Sequence, residues 1–175
     1  GSGKTFLYRE MLKNKYWEKF ASSVQGTKFN SGKSRTVFIP LIASMNYGEI
    51  IDVLKDAITN ANKEIKGLDF QSTLWVQTWE KIGKYKQQKH DLIDWKSFWK
   101  DLLLSGINGV KNLNELEIIL SEANKRVVFL IDGLEEIFLD TRTSQKEAIV
   151  GLVRETINDL KVNYKHIGCI VFLRK

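Results

Sequence analysis

Three short stretches of this chain are apolar on both faces of an extended backbone, a pattern tolerated only by strands covered with helices on either side. They are Thr36 to Ala43 (TVFIPLIA), Arg126 to Ile131 (RVVFLI) and Ile167 to Leu173 (IGCIVFL). Between them the apolar spacing turns helical. Phe6, Leu7, Met11 and Leu12 begin a helix that the pattern carries through Tyr16, Trp17 and Phe20. Further stripes follow at Ile50 to Ala61, Trp95 to Leu103, Leu113 to Leu120 and Ile149 to Leu160. Strands alternating with helices predict an α/β fold with a mainly parallel sheet and crossover connections. Pro40 cannot donate to a ladder, so the first strand is expected at a sheet edge or at a bulge.

The 175 residues make one domain with room for a core, and 43% hydrophobic against 27% charged residues is a globular balance. A lone cysteine, Cys169, excludes an internal disulfide and fits a reducing compartment. No apolar stretch reaches the length of a membrane span, and no signal peptide opens the chain. A cytoplasmic protein without membrane partners is expected. The net charge of +6 leaves nucleic acid open as a partner, but acidic and basic residues interleave throughout. The densest basic stretch, Lys81 to Lys89, reads as a solvated helix face. The segment from about 62 to 112 is long for one crossover and holds Trp75, Trp79, Trp95 and Trp99. It is expected to be a helical, Trp-rich insertion whose aromatic stripe is core, with a partner surface as the alternative.

Gly1-Ser2-Gly3-Lys4-Thr5 leads directly into the first helix, as the second half of a phosphate-binding loop does. Gly3 lets the backbone approach phosphate, and the helix N-terminus supplies positive potential. Lys4 can reach the outer phosphates, and the Thr5 hydroxyl can bind Mg²⁺. The earlier glycine and the preceding strand of the full pattern would lie upstream of residue 1. A second Gly-Lys-Ser, Ser31 to Ser34, has Thr27 where its partner glycine should stand and leads into a strand, so it reads as a loop.

The strand ending at Ile131 runs straight into Asp132-Gly133-Leu134-Glu135-Glu136. Open α/β sheets place ligand chemistry at the carboxyl ends of their strands. Asp132 would hold Mg²⁺, and a neighbouring carboxylate would orient and deprotonate water; Glu135 and Glu136 compete for that role. Arg174, at the end of the last apolar run, is a candidate γ-phosphate sensor or an ordinary basic residue at a strand end. Arg142 and Arg154 have no assigned role, and His90 and His166 are isolated, so no His/Cys metal cluster is expected.

Together GSGKT, FLIDGLEEIF and IVFLRK resemble the STAND-type, NACHT-like P-loop ATPases of the ASCE division. The resemblance implies a three-layer αβα core, here a partial P-loop domain over 1–175 that lacks the first core strand. It implies ATP or ADP with Mg²⁺ as cofactors, bound by Gly1, Ser2, Gly3, Lys4, Thr5 and Phe6, with Thr5 and Asp132 on the metal. Glu135, Glu136, Lys4 and Arg174 take the catalytic positions. The implied function is a slowly hydrolysing, nucleotide-dependent signalling or assembly switch of the kind used in bacterial antiviral defence. Protein partners or self-assembly would involve flanking domains. The alternatives are a motor or remodelling ATPase of the AAA+ kind acting on protein or nucleic acid, and a docking module that binds nucleotide without hydrolysis. A small-molecule kinase fits the acidic pair less well, and ATP over GTP rests on the resemblance alone.

Overall fold

A computed structural model describes residues 3–33 and 35–174. Its main sheet has three parallel strands, β1 (Thr36–Ile42), β4 (Arg126–Asp132) and β5 (Ile167–Phe172), in the order β1-β4-β5. They are the three apolar runs, within a residue or two, but β5 is not covered on both faces as its apolar pattern predicts, since Gly168, Cys169, Ile170 and Val171 are only partly buried. The middle strand, β4, carries the Asp132 motif. All seven residues of β1 are buried, so both of its faces are covered. Pro40 has both expected features, because β1 is an edge strand and its register with β4 shifts between Pro40 and Ile42.

The first helical stripe is not one helix. It divides into α1 (Gly3–Asn14) and α2 (Trp17–Gln25). Lys15 adopts φ +66 and ends α1, with its N–H donating to Met11 and Leu12 carbonyls. The Lys15 carbonyl then accepts from Phe38 N–H, and Tyr16 bridges to Val37. Docking on the edge of β1 outcompetes the helical spacing, which by itself gives no signal for the break.

The long crossover holds α3 (Ile51–Glu64), α4 (Leu74–Tyr85) and α5 (Leu92–Leu104). An antiparallel pair, β2 (Asp69–Phe70) with β3 (Ile107–Asn108), clasps its base. Asp91 caps α5 with a full capping box, and Asn112 caps α6 (Leu113–Glu122). Trp75, Trp95 and Trp99 are buried and Trp79 half-buried, as a core stripe requires. The Trp95 ring packs against Trp99, Tyr85 and Phe138, and Phe138 lies just beyond the acidic motif. Lys86 departs from the solvated-face reading of its stretch. It is buried, and its ammonium donates to the Ile137 carbonyl and to Asp140.

After the acidic turn α7 (Leu134–Ile137), one continuous helix runs through α8 (Arg142–Val150), a π-helical stretch (Gly151–Ile157) and α9 (Asn158–Asn163). At the π-helical stretch a Cβ on Gly151 would stand 2.8 Å from the Trp95 Cβ, so only glycine admits α5 this closely. Trp99 Nε1 donates to the Ala148 carbonyl at 2.8 Å across the same contact.

Candidate functional site

The carboxyl ends of β1, β4 and β5 all meet the first two turns of α1, Asp132 at Thr5 and Ile42 and Phe172 at Tyr8. Four N–H groups of a helix N-terminus lack intrahelical acceptors, and the first turn of α1 carries no acidic side chain that would neutralise them. Tyr8, one turn on, fixes the helix: it is fully buried, its hydroxyl donates to the Ile42 carbonyl at 3.1 Å, and its ring meets Phe172 edge-on. Burial, with the charge of Asp132 second, pushes its phenol well above the usual tyrosine range. Tyr8 therefore ties α1 to both edge strands of the sheet.

That anchoring brings together residues 127 positions apart. Thr5 Oγ1 donates to Asp132 Oδ2 at 3.1 Å. Asp132 is 5% exposed, and burial is the main cause of its raised carboxyl pKa, reinforced by the charges of Glu135 and Glu136. The Thr5 hydroxyl and the Gly133 N–H pull the other way by stabilising the carboxylate. Lys4 Nζ lies 3.8 Å from Glu135 Oε1 and is enclosed without a hydrogen-bond partner among the described residues. An enclosed ammonium facing one carboxylate beside a helix N-terminus is suited to receive an anion.

Gly133 sets the direction of the acidic pair. Its φ is +82, and a Cβ there would stand 2.6 Å from Ser44 Cα and 3.0 Å from Ser44 N. Only glycine lets β4 turn this tightly against the end of β1. Leu134 and Ile137 then bury themselves and leave the two glutamates facing different neighbours. Glu136 is fully engaged: Ser44 Oγ donates to Oε1 at 2.7 Å and Met45 N–H to Oε2 at 2.8 Å. Glu135 faces Lys4 and also accepts the backbone N–H of Arg174. The two competing carboxylates are thus distinguished by position, with Glu135 at α1 and Glu136 held by the exit of β1.

Lys4, Thr5, Asp132 and Glu135 are thus brought together, Gly3 begins the same helix, Glu136 sits beside them at the exit of β1, and Gly1 and Ser2 lie outside the described residues. Phe6 belongs to the same helical turn, with its ring 67% exposed. Arg174 is exposed, and its link to the site is the main-chain N–H rather than the guanidinium. Arg142 and Arg154 are exposed, and His166 is engaged with Glu117 at 2.8 Å. The second Gly-Lys sequence forms an exposed 3₁₀ turn, Ser31–Lys33, as a loop should. Sequence reasoning missed Ser44, although a polar residue just past an apolar strand was an available signal.

Among the described residues no group of three or more His, Cys, Asp or Glu side chains is placed to hold a metal. A Mg²⁺ that rests on one hydroxyl, one carboxylate, phosphates and waters would need no such group, and Thr5 and Asp132 are the side chains here that could hold one. No family model, no curated protein and no solved structure matches the chain. Among the described residues no helix is long and apolar enough to cross a membrane.

Proposed function

We propose that this chain is the nucleotide-binding core of a P-loop ATPase of the STAND type, working as a nucleotide-dependent switch. The observation that carries the proposal is the meeting of Gly3-Lys4-Thr5 with Asp132 and Glu135 at the carboxyl end of a parallel sheet. Two motifs far apart in sequence would have no reason to converge there if each were a decorated turn. The β1-β4-β5 order, with the Asp132 strand in the middle, is compatible with the three-layer core that the resemblance implies.

In this reading the first-turn N–H groups of α1 and the Lys4 ammonium hold the phosphates of ATP. Thr5 and Asp132 hold Mg²⁺, which when bound supplies charge neutralisation on the phosphate oxygens. Glu135 is the residue assigned to accept a proton from the attacking water, because Glu136 already spends both oxygens on Ser44 and Met45. Glu136 instead fixes the acidic turn to β1. Lys4 pairs with Glu135 until an anion competes for it.

The test is calorimetric titration with ATP and Mg²⁺, alongside phosphate release. Saturable binding that Lys4→Ala abolishes, with Glu135→Gln retaining binding but losing turnover, supports the reading. Binding indifferent to Lys4→Ala would refute it, and binding without turnover in the unaltered protein would leave a docking module. A change of oligomeric state with ATP, exceeding what steady turnover explains, separates a switch from a motor.

A further inference from the structure

Beside the exit of β1, on the far side of the turn that holds Glu136, lies a cavity of about 340 Å³. Its walls are aromatic and soft: Tyr47 and Met45 from the loop after β1, and Trp75 and Trp79 from α4. The α4 wall has a helical logic. Trp75 and Trp79 are one turn apart, as are Val76 and Glu80, so all four share one face. The Tyr47 and Trp75 rings meet edge-to-face with centroids 6.3 Å apart, so the buried Trp75 forms the floor while the half-buried Tyr47 and Trp79 form the accessible walls. The one charged residue in the lining is Glu80, exposed at the rim and not paired with any described residue. Lys81 and Lys84, the two cations of α4, line a different cavity.

Aromatic faces present negative potential, and a carboxylate at the rim adds to it. Among the described residues no lysine or arginine lines the cavity to cancel that field. The volume falls near the lower end of small-molecule sites, about 300–1,000 Å³. We propose that this cavity is a binding site for a small organic cation with an alkylated ammonium head, held between Trp79 and Tyr47 above the buried Trp75 and balanced by Glu80. The site also touches the catalytic turn, because Met45 lines it and the Met45 N–H is bonded to Glu136. A bound cation would therefore report on Glu136 through one residue. That regulatory consequence rests on the proposed ATPase reading, whereas the binding itself does not.

The test titrates the protein with choline and with its neutral isostere, 3,3-dimethylbutan-1-ol, followed by calorimetry and tryptophan fluorescence. Choline is expected to saturate a single site, with the isostere at least about tenfold weaker. Trp79→Ala should weaken choline about tenfold and Glu80→Gln a few-fold. Circular dichroism checks each variant, and the exposed Glu80→Gln carries the test if Trp79→Ala does not fold. Equal binding of the isostere, unchanged choline affinity in Glu80→Gln, or no saturation by tens of millimolar would overturn the assignment. A second arm measures phosphate release with and without choline. A choline effect on the rate that Glu80→Gln removes supports the coupling, and binding with an unchanged rate refutes the coupling alone. Absent phosphate release would count against the ATPase reading and leave the binding result intact.

Discussion

Replacing Gly133 by alanine perturbs the point where the sheet and the candidate site meet. At φ +82 a β-carbon costs about 1–2 kcal/mol, because it crowds the following carbonyl. The new methyl would also stand 2.6 Å from Ser44 Cα, against an ordinary carbon contact of about 3.5–4.0 Å. Roughly 1 Å must therefore open between the ends of β1 and β4, and the atom in the way is backbone, which cannot rotate aside. Overpacking of this kind costs about 1–3 kcal/mol. The sum is about 2–5 kcal/mol, and for a chain of this size that lowers Tm by roughly 4–20 °C. An opening of that size would also break the 2.7 Å Ser44–Glu136 bond. The assay is thermal unfolding followed by circular dichroism, with Gly48→Ala as the control, since its Cβ meets nothing within 4 Å. A Gly133→Ala loss no larger than that of the control would refute the close approach and, with it, the placement of the acidic turn.

Three further outcomes follow from the same geometry. Asp132→Asn should stabilise the nucleotide-free protein at neutral pH. Its folded-state pKa is raised above the ordinary 3.8, so the charged form is penalised and stability falls as pH rises through the folded pKa. The advantage of the asparagine, read as ΔTm against pH, should shrink toward zero as pH drops below 3.8, and a constant advantage would point to another cause. Ser44→Ala removes one of the two donors to Glu136 and should cost about 1 kcal/mol in urea unfolding; an unchanged midpoint would show that Met45 N–H suffices. Tyr8→Phe deletes the buried hydroxyl and leaves the Ile42 carbonyl without it, for an expected loss of about 1–2 kcal/mol, measured by the same unfolding.

The elements of this protein were legible in its sequence because each is a local pattern of burial. Apolar faces on both sides marked β1, β4 and β5, and a 3.6-residue stripe marked α3, α5 and α6. Gly3-Lys4-Thr5 at a helix start and Asp132 at a strand end were likewise visible, since they involve a few adjacent positions. Lys15 shows where local reading stops. Its left-handed turn exists because Val37 and Phe38 offer a strand edge, and nothing in the helix itself records that partner. The same holds for Glu135 and Glu136, which are adjacent and chemically identical. Packing against Ser44 on one side and Lys4 on the other gives them different surroundings. Sequence thus determined which residues could form the strands, the helices and the Gly3-Lys4-Thr5 helix start. Strand order, the approach of Thr5 to Asp132 and the different surroundings of the two glutamates were decided by tertiary packing, because contacts across such separations depend on how buried faces fit together.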